Sequence, residues 1–243
     1  MSTLRVLALL LVAGCAASQA RWRGDDAMAE QRYDDAIEHY LDVLFVAPGD
    51  EEAAASLTRA RRSAGVLHQR RALDLATAGD LNAALLAYDQ AIRASDGDPR
   101  ITTERTELLV MVVALRGALV RAKSAQQKGD CERAVSLLAP VMPYAGTFAE
   151  AVTLDATARA TCYQRQLAGV AELFELRSLA RVSKRLDAAL EYRPGDAEAT
   201  RWRARVVALE RALELTRAGN GLLMKADWAG AEKNFSAALE ALP

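Results

Sequence analysis

A recurring small residue sets what this chain can fold into. Ala36, Ala84, Ala134, Val182 and Ala231 are separated by 48, 50, 48 and 49 residues. Four positions on from each stands a larger side chain: Tyr40, Tyr88, Leu138, Leu186 and Phe235. Three further on come Val43, Ala91, Val141, Ala189 and Ala238. Steps of four and three keep these positions on one face of a helix. A small residue there lets a second helix approach closely, and the larger side chain fills the groove beside it. Pro48, Pro194 and Pro243 follow three of the copies, and proline cannot continue a helix. Self-similarity at a fixed period marks a repeat architecture.

The segments between the copies carry apolar stripes of their own. Ala53, Leu57, Ala60, Ala64 and Leu67 step by fours and threes, as do Leu108, Val112, Leu115, Leu119 and Ala122, and Ala199, Trp202, Val206, Leu209 and Leu213. A short helix should therefore alternate with a long one of roughly 28 residues, about 42 Å. Composition agrees: aromatics are 5%, and the abundant Ala, Leu and Arg are strong helix formers. The nearest approach to a β-branched run is Val110 to Val113. Gly-Asp pairs at 49–50, 79–80, 97–98, 129–130 and 195–196 punctuate the array. Glycine ends one helix and the aspartate caps the next, so these carboxylates are read as structural, not as metal ligands.

The segments around Ala36, Ala84 and Ala231 resemble the second helix of the tetratricopeptide repeat (TPR), and those around Ala134 and Val182 do so with less of the motif. The resemblance implies an all-α, TPR-like α-solenoid of antiparallel helix pairs over residues 25–243, with about five repeats. The period here is about 49 residues against the family's usual value of about 34, a surplus of roughly four helical turns. Such arrays present a concave face built from the first helix of each pair. Carrying over the family's register puts Gln69, Arg116, Lys123, Gln126, Gln127, Thr216 and Asn220 on that face. They would grip an extended peptide or an acidic segment, or else form an ordinary solvated surface.

Residues 1–14 read as an export signal: Arg5, a short apolar run from Val6 to Val12, then small residues. That run falls short of the roughly 20 residues needed to span a bilayer. Val12-Ala13-Gly14-Cys15 resembles the bacterial lipobox, which is cleaved between Gly14 and Cys15. The resemblance implies a diacylglyceryl thioether on Cys15 with an amide-linked acyl group such as palmitate, and residues 15–24 as a lipidated tether. Two or more chains anchor stably where one does not. Ala16, in place of the aspartate of inner-membrane retention, points to an outer-membrane lipoprotein facing the periplasm. Arg21, Trp22 and Arg23 suit the headgroup zone, although the more ordinary expectation is that Trp22 packs inside the first helix pair.

Other signals are negative. A net charge of −1 gives no electrostatic footprint for nucleic acid. No HExxH, GxSxG or phosphate-loop pattern occurs. Gly219-Asn220-Gly221 lacks the third glycine of a dinucleotide loop, and Arg23-Gly24-Asp25 sits in a helical start. His39 and His68 are expected to be exposed or half-buried helix residues. The chain is therefore read as a non-enzyme without metal or cofactor. Cys131 and Cys162 leave two readings open, a disulfide in an oxidising compartment or two buried thiols.

The expected function is that of a lipid-anchored envelope scaffold or assembly factor that binds other envelope proteins or peptides through its repeats. Lipid-anchored TPR proteins include outer-membrane assembly subunits and secretin pilotins; the aromatic-Gly-Tyr-Ser segment of the former is missing here. The alternative is a periplasmic module for a small ligand or glycan, which would need a deep apolar cavity with convergent polar groups.

Overall fold

The computed structural model describes residues 17–242. The signal segment and lipidation site, with Gly14 and Cys15, lie outside them, as does Pro243. The described residues are all-helical and contain no strand. In chain order come α1 (17–29), α2 (Tyr33–Val46), α3 (Glu51–Thr77), α4 (Leu81–Ala94), α5 (Pro99–Gln127) and α6 (Cys131–Leu138). A 3-10 turn at Met142–Tyr144 leads to α7 (Ala149–Leu167), α8 (Val170–Glu175), α9 (Leu179–Tyr192), α10 (Ala197–Leu223) and α11 (Trp228–Glu240). The long helices α3, α5 and α10 have 27, 29 and 27 residues, and α2, α4, α9 and α11 have 14, 14, 14 and 13.

The chain forms two compact units: residues up to Gly117 with Pro143–Ala149, and Ala118–Met142 with the chain from Glu150 onward. In the first, α1 and α2 run antiparallel. Ala27 and Ala36 pack together with Tyr40, Leu57 and Ala60, and a Cβ on Gly24 would sit 2.7 Å from the Tyr40 ring. The Tyr40 hydroxyl donates to Asp25 at 2.7 Å. Helix α3 packs on both α2 and α4. In the second unit, α10 packs on α9 and α11, and a Cβ on Gly219 would sit 2.7 Å from the Phe235 ring. The same arrangement thus occurs in both units: a glycine on one helix, under a ring on the next.

This contact has a sequence correlate beyond the positions noted above. Twelve residues before each anchor stand Gly24, Ala72, Ala122, Val170 and Gly219, all buried. Four of the five are glycine or alanine, so the helix before each anchor offers a notch where the next helix crosses it.

The caps explain where helices begin. The side chains of Asp50, Asp80, Asp130 and Asp196 each accept from a backbone N–H in the first turn of the following helix. Asp98 accepts from Arg100 N at 2.8 Å. Asp227 caps α11 in the same way without a preceding glycine; Ala226 takes the left-handed conformation itself, with φ 59°.

Four places depart from the expected regularity. Helix α6 has eight residues because Pro140 has no N–H to donate to the preceding turn, which stops the ladder although Ala139 keeps αR angles; Val141 is nonetheless fully buried. The expected long helix after Phe148 is divided into α7 and α8 by Gly169, whose φ is 76°. There the Arg185 guanidinium donates to the Ala168 carbonyl left over by the break. The α3 stripe leaves Leu67 46% exposed and continues through His68 and Ala72, as a period of 3.6 requires after Ala64. Trp22 does not pack inside the first helix pair: it is 68% exposed, pointing away from the face that carries Gly24 and Ala27.

Candidate functional site

The first unit holds a groove between α3 and the start of α5, closed at one end by the turn after α4. Its volume is about 730 Å3. Arg61 and Arg62 face it from α3, with Asp96 and Asp98 on the turn and Arg100 and Glu104 on α5. Gly65 keeps its wall low; a Cβ there would reach 3.0 Å from Ser95 Cβ. Apolar lining comes from Val66, 60% exposed, and Ile101.

The charges are loosely tied. Arg61 stands 4.0 Å from Asp96 and Arg100 3.7 Å from Asp98. Arg62 pairs with no carboxylate among the described residues. Glu104 accepts two hydrogen bonds from the Gln69 amide, at 2.9 and 2.8 Å. Tyr88 beneath it is pushed up to about 12, by burial first and by the Glu104 carboxylate second. Such a groove offers three guanidinium groups, two loosely tied and one without a carboxylate partner among the described residues, to a carboxylate or a backbone carbonyl, with apolar surface beside them.

The second unit holds a similar groove, of about 620 Å3, between the start of α9 and α10. Arg177, Arg181 and Arg217 face Glu210 and Glu214, with Leu179 and Leu213 as the apolar lining.

The residues singled out for a partner face are placed as follows. Gln69 lines the first groove, on the Glu104 tie. Arg116 is exposed and donates to Asn82 at 3.5 Å. Lys123 donates to Glu150 at 2.5 Å, and Gln126 to Thr161 at 3.2 Å, so both tie α5 to α7. The Gln126 Oε1 is buried without a partner. Gln127 and Asn220 are exposed. Thr216 donates to Ala212 O within its own helix. These residues do not converge within either unit. The arginines of the grooves, which register transfer passes over, do converge. Their signal in sequence is an Arg pair on α3 three to four residues before a helical glycine.

Cys131 and Cys162 are joined by a disulfide with Cα atoms 5.5 Å apart. Both are buried, at 0% and 1%. His39 is half-buried, whereas His68 is 9% exposed and its Nε2 lies 2.9 Å from Asp34, a tie between α3 and α2. The Tyr163 hydroxyl donates to Asp196. This holds the Asp196 carboxyl below its ordinary range, and two backbone N–H donors hold it further down. Gly219, Asn220 and Gly221 lie inside α10, and Arg23, Gly24 and Asp25 inside α1. No described helix is long and apolar enough to cross a membrane. Comparison with protein-family models gives no match, and comparison with curated proteins gives none either.

Proposed function

We propose that this chain is a lipid-anchored scaffold or assembly factor of the bacterial envelope, built from TPR-like helix pairs, that holds other envelope proteins or peptides. One observation carries the repeat reading. Gly24 under Tyr40 and Gly219 under Phe235 are the same contact, at matching positions of a period that runs through Ala72, Ala122 and Val170. Stacked pairs of this kind leave a groove between successive long helices, and the α3–α5 groove has the size and mixed lining that suits an extended segment. Its guanidinium groups favour a partner with acidic side chains.

The buried disulfide supports export, since such bonds persist in oxidising compartments. The periplasmic, outer-membrane location and the acylation of Cys15 rest on residues 12–16. A small-ligand or glycan site would call for an enclosed apolar cavity, while both grooves are lined by opposed charges.

In-cell crosslinking from a photo-reactive residue placed at Val66, followed by affinity capture, tests the proposal. Recovery of the same envelope protein from independent preparations, lost in an Arg61→Glu/Arg62→Glu variant, is the expected result. No reproducible partner, or one unaffected by the charge reversal, would refute it.

A further inference from the structure

Among the described residues, large apolar side chains stand exposed towards one end of the first helix pair. Trp22 is 68% exposed, Phe45 89%, and Leu41 and Val46 43% each. They share that end because α1 and α2 are antiparallel. Ala27 is packed with Ala36 and Gly24 lies against Tyr40, so residues 18–22 stand level with 41–46. Arg21 fixes the level independently: it pairs with Asp50 and, at 2.5 Å, with Glu52, just past the end of α2.

Cys15 precedes the first described residue by two positions, a reach of about 7 Å at most. An acyl group there would hold this end, and no other part of the first unit, at a bilayer surface. We infer that the end seats on the lipid itself, with Trp22, Leu41, Phe45 and Val46 in the headgroup and upper acyl layer. The inference rests on the acylation of Cys15 proposed above.

The chemistry suits lipid more than a charged protein surface. Tryptophan and phenylalanine beside aliphatic side chains favour the interface. Charge supplies no net attraction: Arg21 is taken up by Asp50 and Glu52, and the exposed Arg23 is outnumbered by Asp42 and Glu51, exposed at the same end. Apolar contact therefore carries the seating, and a zwitterionic surface suffices. The consequence is orientational: the first helix pair stands on the membrane, fixed by side chains as well as by its tether.

The test uses the full chain, extracted from membranes and reconstituted in phosphatidylcholine vesicles with acyl chains brominated near the headgroup. Mass spectrometry first reads acylation of Cys15. Tryptophan emission is then compared for the parent and Trp22→Phe, a change at an exposed position that leaves the fold intact. Acylated protein whose emission is quenched, with the quenched fraction lost in Trp22→Phe, is the expected result. Acylated protein with equal emission in brominated and ordinary vesicles overturns the seating and leaves the anchor standing; a protein partner covering this end would give that outcome. An unmodified Cys15 overturns both.

Discussion

Removing the Cys131–Cys162 bond should cost more than any single contact of α6. The bond closes a segment with a sequence separation of 31. In the chain-entropy account a loop of that size contributes about 3.5 kcal/mol, between the roughly 3 of a 15-residue loop and the roughly 4.7 of a 100-residue one. Helix α6 has eight residues and buries Cys131, Ala134 and Leu138. Burial of a leucine side chain contributes about 2 to 3 kcal/mol and an alanine methyl about 0.8 kcal/mol. The staple therefore matches everything else that holds this helix. The perturbation is Cys131→Ala with Cys162→Ala, read by urea unfolding and by hydrogen exchange. With a slope of about 2 kcal/mol per molar urea, the midpoint should fall by roughly 1 to 2 M. Protection should be lost first in 131–138 and in the part of α7 around Cys162. An unchanged midpoint, or free thiols in the unreduced parent, would refute the reasoning.

Gly24→Ala should destabilise by about 1–3 kcal/mol. The new Cβ would meet the Tyr40 ring at 2.7 Å, and that ring is 1% exposed and held by Asp25. Gly221→Ala, in helix α10 with nothing within 4 Å, should instead stabilise by about 0.5–1 kcal/mol; thermal melts of the two variants should move in opposite directions. Asp80→Ala removes the carboxylate that accepts from Ala83 N and should cost about 1 kcal/mol, read as a lowered urea midpoint. Tyr40, Tyr88 and Tyr163 are each raised from 10.0 to about 12, burial being the leading cause. A raised value favours the protonated form in the fold, so their contribution is whole below pH 10 and is lost as pH climbs towards about 12. Unfolding midpoints should fall through that window, and a flat profile would show that the phenols ionise as freely in the folded chain as in the unfolded one.

The alternation of long and short helices was legible because its cause is local. The spacing of Ala36, Tyr40 and Val43 fixes a face, and Asp50, Asp80, Asp130 and Asp196 mark starts through their own side chains. What escaped depends on partners distant in sequence. Gly24 and Gly219 share the repeat period with Ala72, Ala122 and Val170, but what that position does shows only beneath Tyr40 and Phe235. The break at Gly169 is unremarkable in sequence until Arg185 is seen taking the Ala168 carbonyl. His68 looks like any helical histidine, and Asp34 decides its burial. The α3–α5 groove was missed for a related reason. Register transfer points along one face of a helix, whereas the groove draws Arg61 and Arg62 from α3, Asp96 and Asp98 from a turn, and Arg100 and Glu104 from α5.

Thr147 introduces an ordering into how this chain can acquire its structure. Its hydroxyl donates to the Gly79 carbonyl at 2.9 Å and accepts from Leu81 N at 2.8 Å, across separations of 68 and 66 residues. Most stabilising pairs in stacked hairpins join near neighbours and form quickly, whereas an interaction that encloses so much polypeptide must wait until the intervening helices have shortened the distance. The turn between α3 and α4 should therefore be latched late, by a stretch synthesised well after it, and a chain released from the ribosome before Thr147 emerges would leave those two bonds unmade while the local bonds of the turn form.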